Sequence, residues 1–163
     1  MRCEDERVTD PRRLNADEEA LWNTFYAMRR RLDRALDTQL QRDFGVSISE
    51  LEVLMALVRA PDRRLRVRDL VALLGWEKSR ISHQVTRMVA RGFVERQDCR
   101  DDRRASWVHL TGAGRRIVVR ALPEHIATIR ALLFDPLDAG QQEEFLAIAR
   151  SCLEAIEAFD SPG

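Results

Sequence analysis

The sequence predicts a mostly α-helical fold with a small β-hairpin wing: a winged helix-turn-helix flanked by long helices suited to dimerisation. Three observations carry that prediction. Residues 65–111, LRVRDLVALLGWEKSRISHQVTRMVARGFVERQDCRDDRRASWVHLT, hold a short helix, a glycine turn, a polar and basic second helix, and two alternating strands. The stretches on either side repeat apolar residues at three- and four-residue steps, the period of amphipathic helices. Charge is segregated although the net charge is zero: Arg59–Arg104 carries 13 Lys and Arg against 7 Asp and Glu, leaving 14 against 20 elsewhere. A basic middle in an acidic frame is the footprint of a local anion-binding face.

Residues 1–14 are charged and aperiodic and read as a mobile tail. Asn15 with Glu18 forms a capping box that opens a long helix, in which Leu21, Trp22, Phe25, Met28, Leu32, Leu36 and Leu40 make one stripe up to Arg42. Gly45 closes it with a left-handed turn. At roughly 26 residues it would span about 40 Å, and such a helix either packs on a partner chain or lies across its own core. Ser49 with Glu52 is expected to cap the next helix, with Leu51, Leu54, Met55 and Val58 inward and Pro61 as its stop. A third helix is expected over Leu65–Leu74, burying Val67, Leu70, Leu73 and Leu74, with Arg66 where a capping Ser or Thr would serve better.

Gly75-Trp76 makes the turn, and a helix from Glu77 to about Arg91 buries Ile81, Val85, Met88 and Val89. Gly92 ends it. FVERQ and ASWVHL then alternate as two strands around the loop CRDDRR. Thr111 caps a long helix with Ile117, Ala121, Ile126, Ile129, Leu132 and Leu133 on one side, in which Pro123 is expected to produce a kink or break. Asp138 with Gln141 opens the last helix, whose stripe is Phe145, Ile148, Cys152, Ile156 and Phe159. The expected organisation is a tail over 1–14, a dimerisation helix over 15–48, a DNA-binding lobe over 49–111 and further dimerisation helices over 112–163.

A helix fits the major groove of B-DNA, with the exposed side of its first turns facing the base edges. On the helix from Glu77 that places Ser79, Arg80, His83 and Gln84 toward bases, Arg80 suited to guanine and Gln84 to adenine. Lys78, Ser82, Thr86 and Arg87 suit phosphates. Arg100, Arg103 and Arg104 cluster at the hairpin tip, where arginine can enter a narrow minor groove. Asp98, Asp101 and Asp102 would be poor phosphate binders but can brace those guanidinium groups. A solvated charged face is the plain alternative for the helix alone; helix and wing together are more specific.

Other function classes find little support. No apolar run of about 18 residues exists for a membrane span, and residues 1–20 lack the apolar core of a signal peptide, so a cytoplasmic location is expected. Cys3, Cys99 and Cys152 form no CxxC pair, and His83, His109 and His125 have no metal-ligand spacing, so no metal or cofactor is expected. No nucleophile motif or phosphate-cradling loop suggests an enzyme. Cys152 is expected to be an inert core thiol, whereas Cys99 lies between Asp98 and Arg100, where guanidinium groups favour thiolate.

The run LVALLGWEKSRISHQVTRMVARGFVER followed by DCRDDRRASWVHLTGAG resembles the MarR family of bacterial transcription regulators, and the order of elements extends the likeness from Asn15 to Phe159. The matching features are the leucine-glycine turn, the hydroxyl at Ser79, Arg87 ahead of MVARGFVER, the DDRR wing and the LTxxG opening of the next helix. The resemblance implies a homodimer with interlocked terminal helices that reads a pseudo-palindromic double-stranded operator. It implies repression, relieved by a small aromatic or phenolic ligand or by cysteine oxidation. It assigns Ser79, Arg80, His83, Gln84 and Arg87 to the recognition helix and Arg103 and Arg104 to the wing tip. A ligand pocket of the family kind would draw on Trp22, Tyr26, Arg29, Arg30, Trp107 and His109. Oxidation-sensing relatives carry their cysteine near the start of the first helix, and Cys3 lies upstream of that point. The alternatives are a redox-sensing regulator acting through Cys99 or Cys3, and a winged-helix protein-interaction module without DNA affinity, which the neutral net charge would suit.

Overall fold

The computed structural model describes residues 13–98 and 106–160, and these divide into two compact units, one ending at Ala35 and one beginning at Leu36. Six helices and three strands follow in the order α1 (Ala16–Phe44), α2 (Ile48–Arg59), β1 (Arg64–Arg66), α3 (Val67–Leu74), α4 (Lys78–Ala90), β2 (Val94–Asp98), β3 (Ser106–Leu110), α5 (Gly112–Ile129) and α6 (Ala139–Asp160). The strands form one antiparallel sheet ordered β1-β3-β2. This is the predicted class, mostly helical with a wing, but with a third strand.

The caps are legible atom by atom. At α1 the Glu18 N–H donates to Asn15 Oδ1 at 2.9 Å and the Asn15 N–H donates to Glu18 Oε2 at 2.8 Å, the expected box. Gly45 takes φ 67°, open to glycine without a Cβ penalty, and ends the helix. The α2 box differs from expectation: it is Ser47 with Glu50, not Ser49 with Glu52. The Glu50 N–H donates to Ser47 Oγ at 3.2 Å and the Ser47 N–H to Glu50 Oε2 at 2.9 Å. Val53 and Leu57 join Leu51 and Leu54 in the core, while Met55 is half-buried and Val58 is exposed.

Leu65 and Arg66 belong to β1 rather than to a helix. Arg64, Leu65 and Arg66 pair with His109, Val108 and Trp107. Three residues are too short to show a strand period, which is why the sequence reads as helix there. The helix that follows, α3, starts at Val67 with the Asp69 carboxylate accepting from the Arg66 N–H at 3.3 Å, half of a capping box supplied from its third position. Leu70 is wholly buried, but Leu73 is 63% exposed, contrary to its place in the expected stripe.

Leu40, Val46, Leu51, Val53, Leu54, Leu57, Leu70, Ile81, Val85, Met88, Val94, Val108, Val118 and Ala121 make one continuous core drawn from α1, α2, α3, α4, the sheet and α5. Gly114 is the point of closest approach: a Cβ there would run into the Phe93 carbonyl oxygen and lie 2.9 Å from Leu110 Cδ1 and 3.0 Å from Leu54 Cδ2. Thr111 Oγ1 secures that corner, donating toward the Gly92 and Phe93 carbonyls (2.8 and 2.9 Å) and accepting from the Gly114 N–H at 3.0 Å.

The α5 helix runs through Pro123 without a break, flanked by buried Ala121 and His125, so packing outweighs the local penalty. A π-type turn over Arg130–Phe134, unforeseen in the sequence, leads to α6, whose opening Asp138–Gln141 pair is reciprocal at 2.9 and 3.0 Å. No described residue of α6 is buried. Phe145, Ile148, Ile156 and Phe159 are exposed, and Cys152 with them, a correction to its expected core position: the stripe has the right period but is left uncovered among the described residues.

Two substitutions test this account by urea denaturation. Gly114→Ala should destabilise by about 1–3 kcal/mol through overpacking. Arg91→Ala, which strips the buried Glu50 carboxylate of its guanidinium partner at 2.7 Å, should cost about 2–3 kcal/mol.

Candidate nucleic-acid interface

The buried stripe of α4 fixes what it offers to solvent. Ile81, Val85 and Met88 have no exposed surface, and Lys78, Ser79, Arg80, His83, Thr86 and Arg87 are exposed on the remaining faces, with Ser82 half-buried. Val89 is exposed rather than inward. The Thr86 hydroxyl donates to the Ser82 carbonyl at 2.9 Å, so its proton is committed to its own helix.

Gln84 departs from expectation. It is only 3% exposed, and its side-chain oxygen accepts from Arg87 Nη2. At 3.6 residues per turn Gln84 falls about 40° from Met88, inside the buried stripe, so the helical wheel carried the signal and its polar character masked it. With Asp37, Ser47, Ser49, Glu50, Arg87 and Arg91 it lines a polar groove where α4 meets α2. From there its oxygen meets Arg87, and it does not stand on the solvent side of the helix where the sequence places it.

Arg80 is held by two neighbours. Its guanidinium carbon lies 3.9 Å from the centroid of the Trp76 ring, and its Nη2 donates to Ser49 Oγ at 3.4 Å. Arg91 was read from sequence only as the end of the helix. Its Nη1 donates to both Glu50 carboxylate oxygens at 2.7 and 2.8 Å, and its Nη2 to the Gly45 carbonyl at 2.6 Å. A contact 41 residues distant leaves no local pattern by which to find it.

The hairpin base is regular, with Val94 opposite Leu110 and Asp98 opposite Ser106, and Arg96 Nε donating to Ser106 Oγ at 3.0 Å. The predicted tip residues Cys99, Arg100, Asp101, Asp102, Arg103 and Arg104 lie outside the described residues, as do the Asp98 side chain and Cys3. Of the proposed pocket residues, Trp22, Tyr26, Arg29 and Arg30 come together on α1: the Trp22 and Tyr26 rings stack at 6.2 Å, and both guanidinium groups lie within 5.7 Å of the Tyr26 ring. Trp107 instead carries Arg64 and Arg66 at 4.8 and 5.0 Å.

A separate cavity of about 610 Å³ opens between α2, α3 and α5, and none of those predicted residues lines it. Leu51, Met55, Leu73, Trp76, Leu122 and Ile126 supply its apolar wall, and Glu52, Arg59 and His125 its ionisable groups. His125 is buried, with no hydrogen-bond partner for Nδ1 among the described residues, and burial lowers its pKa below the ordinary imidazole value.

Comparison with known proteins agrees with this arrangement. A family model described as MarR family matches residues 44–105, the span from the end of α1 to the wing. The crystal structure of Sco3205, a MarR family transcriptional regulator from Streptomyces coelicolor solved in complex with DNA, superposes with a TM-score of 0.83 at 35% identity, covering 90% of this chain and 91% of that one. The chain belongs to the MarR family. AbsC, a MarR family transcriptional regulator also from S. coelicolor, is 31% identical with a TM-score of 0.81, over 90% of this chain and 99% of its own. The HTH-type transcriptional repressor YetL of Bacillus subtilis (strain 168) is 26% identical over 115 residues, 71% of this chain and 68% of that protein. These relatives are regulators of transcription, not enzymes. Among the described residues no helix is long and apolar enough to cross a membrane.

The depressed pKa of His125 has a signed consequence for this MarR fold. The neutral ring is the form that folds, so its contribution is fully present above the unfolded value of about 6.5 and declines as pH falls below it, because the unfolded chain then binds the extra proton. Urea midpoints at pH 7 and pH 5 should therefore differ less in His125→Gln than in the wild type, since Glu52 and Arg59 in the same wall are common to both.

Proposed function

We propose that the chain is a homodimeric, sequence-specific repressor that sets α4 in the major groove and its arginine wing in the minor groove of a pseudo-palindromic operator. The observation that carries this reading is the exposed face of α4: Lys78, Ser79, Arg80, His83 and Arg87 are exposed above a wholly buried anchor of Ile81, Val85 and Met88. Arg80 lies near the start of the helix, suited to a base edge, and Arg87 further along, suited to a phosphate. The 35% identity to Sco3205, itself solved with DNA, and the likeness to the repressor YetL support the same assignment. Arg100, Arg103 and Arg104 would supply the wing contact, with Asp98, Asp101 and Asp102 as braces. Residues 49–111 form the reading lobe on this view, and residues 15–48 and 112–163 serve dimerisation in the cytoplasm.

The second copy is inferred from α6. A helix of 22 residues with none buried and a stripe of Phe145, Ile148, Ile156 and Phe159 facing solvent presents a surface that needs a cover. The exposed Leu21, Trp22, Phe25 and Met28 of α1 present another. A small-molecule signal is supported by the cavity between α2, α3 and α5: mostly apolar walls with a few ionisable groups suit an aromatic or phenolic ligand. Trp76 lines that cavity and also carries Arg80, so an occupant there would touch the platform of a proposed base-reading residue.

Selection of bound duplexes from a random library, followed by binding titrations in salt, tests the reading. Arg80→Ala should flatten preference at one base pair, a loss of about 5- to 150-fold in discrimination. Arg87→Ala should weaken all duplexes alike and reduce the slope of log K against log salt by about 1. A wild-type protein that shows no salt-dependent binding to any duplex would point instead to a protein-interaction module.

A further inference from the structure

We propose that Trp76 and Ser49 are positioning residues for Arg80, holding its guanidinium ready for a base edge; this rests on the reading of α4 as the recognition helix. Arginine carries a long side chain whose rotamer freedom must be given up when it binds, and a site that restricts it beforehand lowers that cost. Two elements outside α4 do so. The Trp76 ring, on the turn before the helix, lies 3.9 Å beneath the guanidinium carbon, closer than any other arginine–aromatic pair among the described residues. Ser49, in the first turn of α2, accepts from Nη2 at 3.4 Å.

Both supports are themselves fixed. Trp76 is half-buried and packed against the core. Ser49 follows the Ser47 cap, whose partner Glu50 is buried and paired with Arg91. Arg80 has no salt bridge among the described residues, so no carboxylate competes for its donors.

The geometry leaves the right atoms free. Stacking occupies a face of the guanidinium plane, and Ser49 occupies one N–H. Four of the five in-plane donors remain, enough for a bidentate contact to guanine O6 and N7. A lysine in the same position would gain little from the ring plane and could not present a fork. Trp76 and Ser49 would thus influence which base is preferred without contacting it.

A double-mutant cycle tests this. The probe is a duplex selected from a random library by the wild-type protein, together with its three variants at the base pair whose preference Arg80→Ala flattens. Trp76→Ala should lower discrimination at that pair by about 2- to 30-fold, the range of a cation–π contact expressed as a ratio. Trp76→Phe should retain most of it, and Ser49→Ala should lower it less than Trp76→Ala. In an Arg80→Ala background, Trp76→Ala should change nothing further at that position. The inference is overturned if Trp76→Ala and Trp76→Phe leave discrimination at the wild-type level, or if Trp76→Ala weakens every duplex equally whether or not Arg80 is present, the behaviour of a purely structural residue. Should Trp76→Ala fail to fold, Trp76→Phe and Ser49→Ala decide: equal discrimination in both and the wild type overturns it. Failure of the underlying reading is separate, because it would show first in the wild type selecting no duplex or in Arg80→Ala flattening no position, and either result removes this inference with it.

Discussion

The lobe depends on one buried carboxylate. Glu50 is 6% exposed, and the cost of removing a charge from water is offset only when its oxygens are fully engaged. Here the Ser47 N–H and hydroxyl and Arg91 Nη1, which reaches both carboxylate oxygens, converge on it, while Arg91 Nη2 donates to the Gly45 carbonyl. One ion pair therefore joins the end of α1, the start of α2 and the end of α4. These are the elements whose mutual placement determines where the exposed face of α4 points. Truncating Arg91 leaves the buried Glu50 carboxylate without its guanidinium partner, so the network tolerates little loosening.

The same economy governs α4. A recognition helix must be anchored tightly enough to hold its exposed side chains still, and the anchor here is wider than its apolar residues. Gln84 extends the buried stripe and accepts from Arg87, so that arginine is oriented from beneath by the helix it belongs to. Arg80 is oriented from the side, by Trp76 and Ser49. Two long cationic side chains are thus restrained by neighbours rather than left to solvent, which separates this face from an ordinary charged surface.

Much of this was legible in sequence because it is local. Asn15–Glu18 and Asp138–Gln141 are pairs three residues apart, and the structure has both boxes. Ile81, Val85 and Met88 follow the helical period and are buried. What escaped is either too short or too distant. β1 has three residues, so no period could distinguish it from the helix it precedes. SISELE offers two overlapping serine–glutamate pairs, and only tertiary burial of Glu50 selects the first. At Gln84 polarity points to solvent while helical angle points to the core, and the angle wins. The partners of Arg91 are 41 and 46 residues away.

The apolar stripe of α6 has a different standing from the core. The lobe has its own interior, with 14 buried core residues drawn from α1 through α5. The last helix has the same period and no buried residue, although an isolated 22-residue helix gains too little from propensity to keep such a face in water. On the homodimer reading, those residues await a second copy. The stability of these helices is then inseparable from protomer concentration, while that of the lobe is not. A regulator built so can bind one half-site through a rigid lobe and measure the distance to the other through helices that acquire their packing only on assembly.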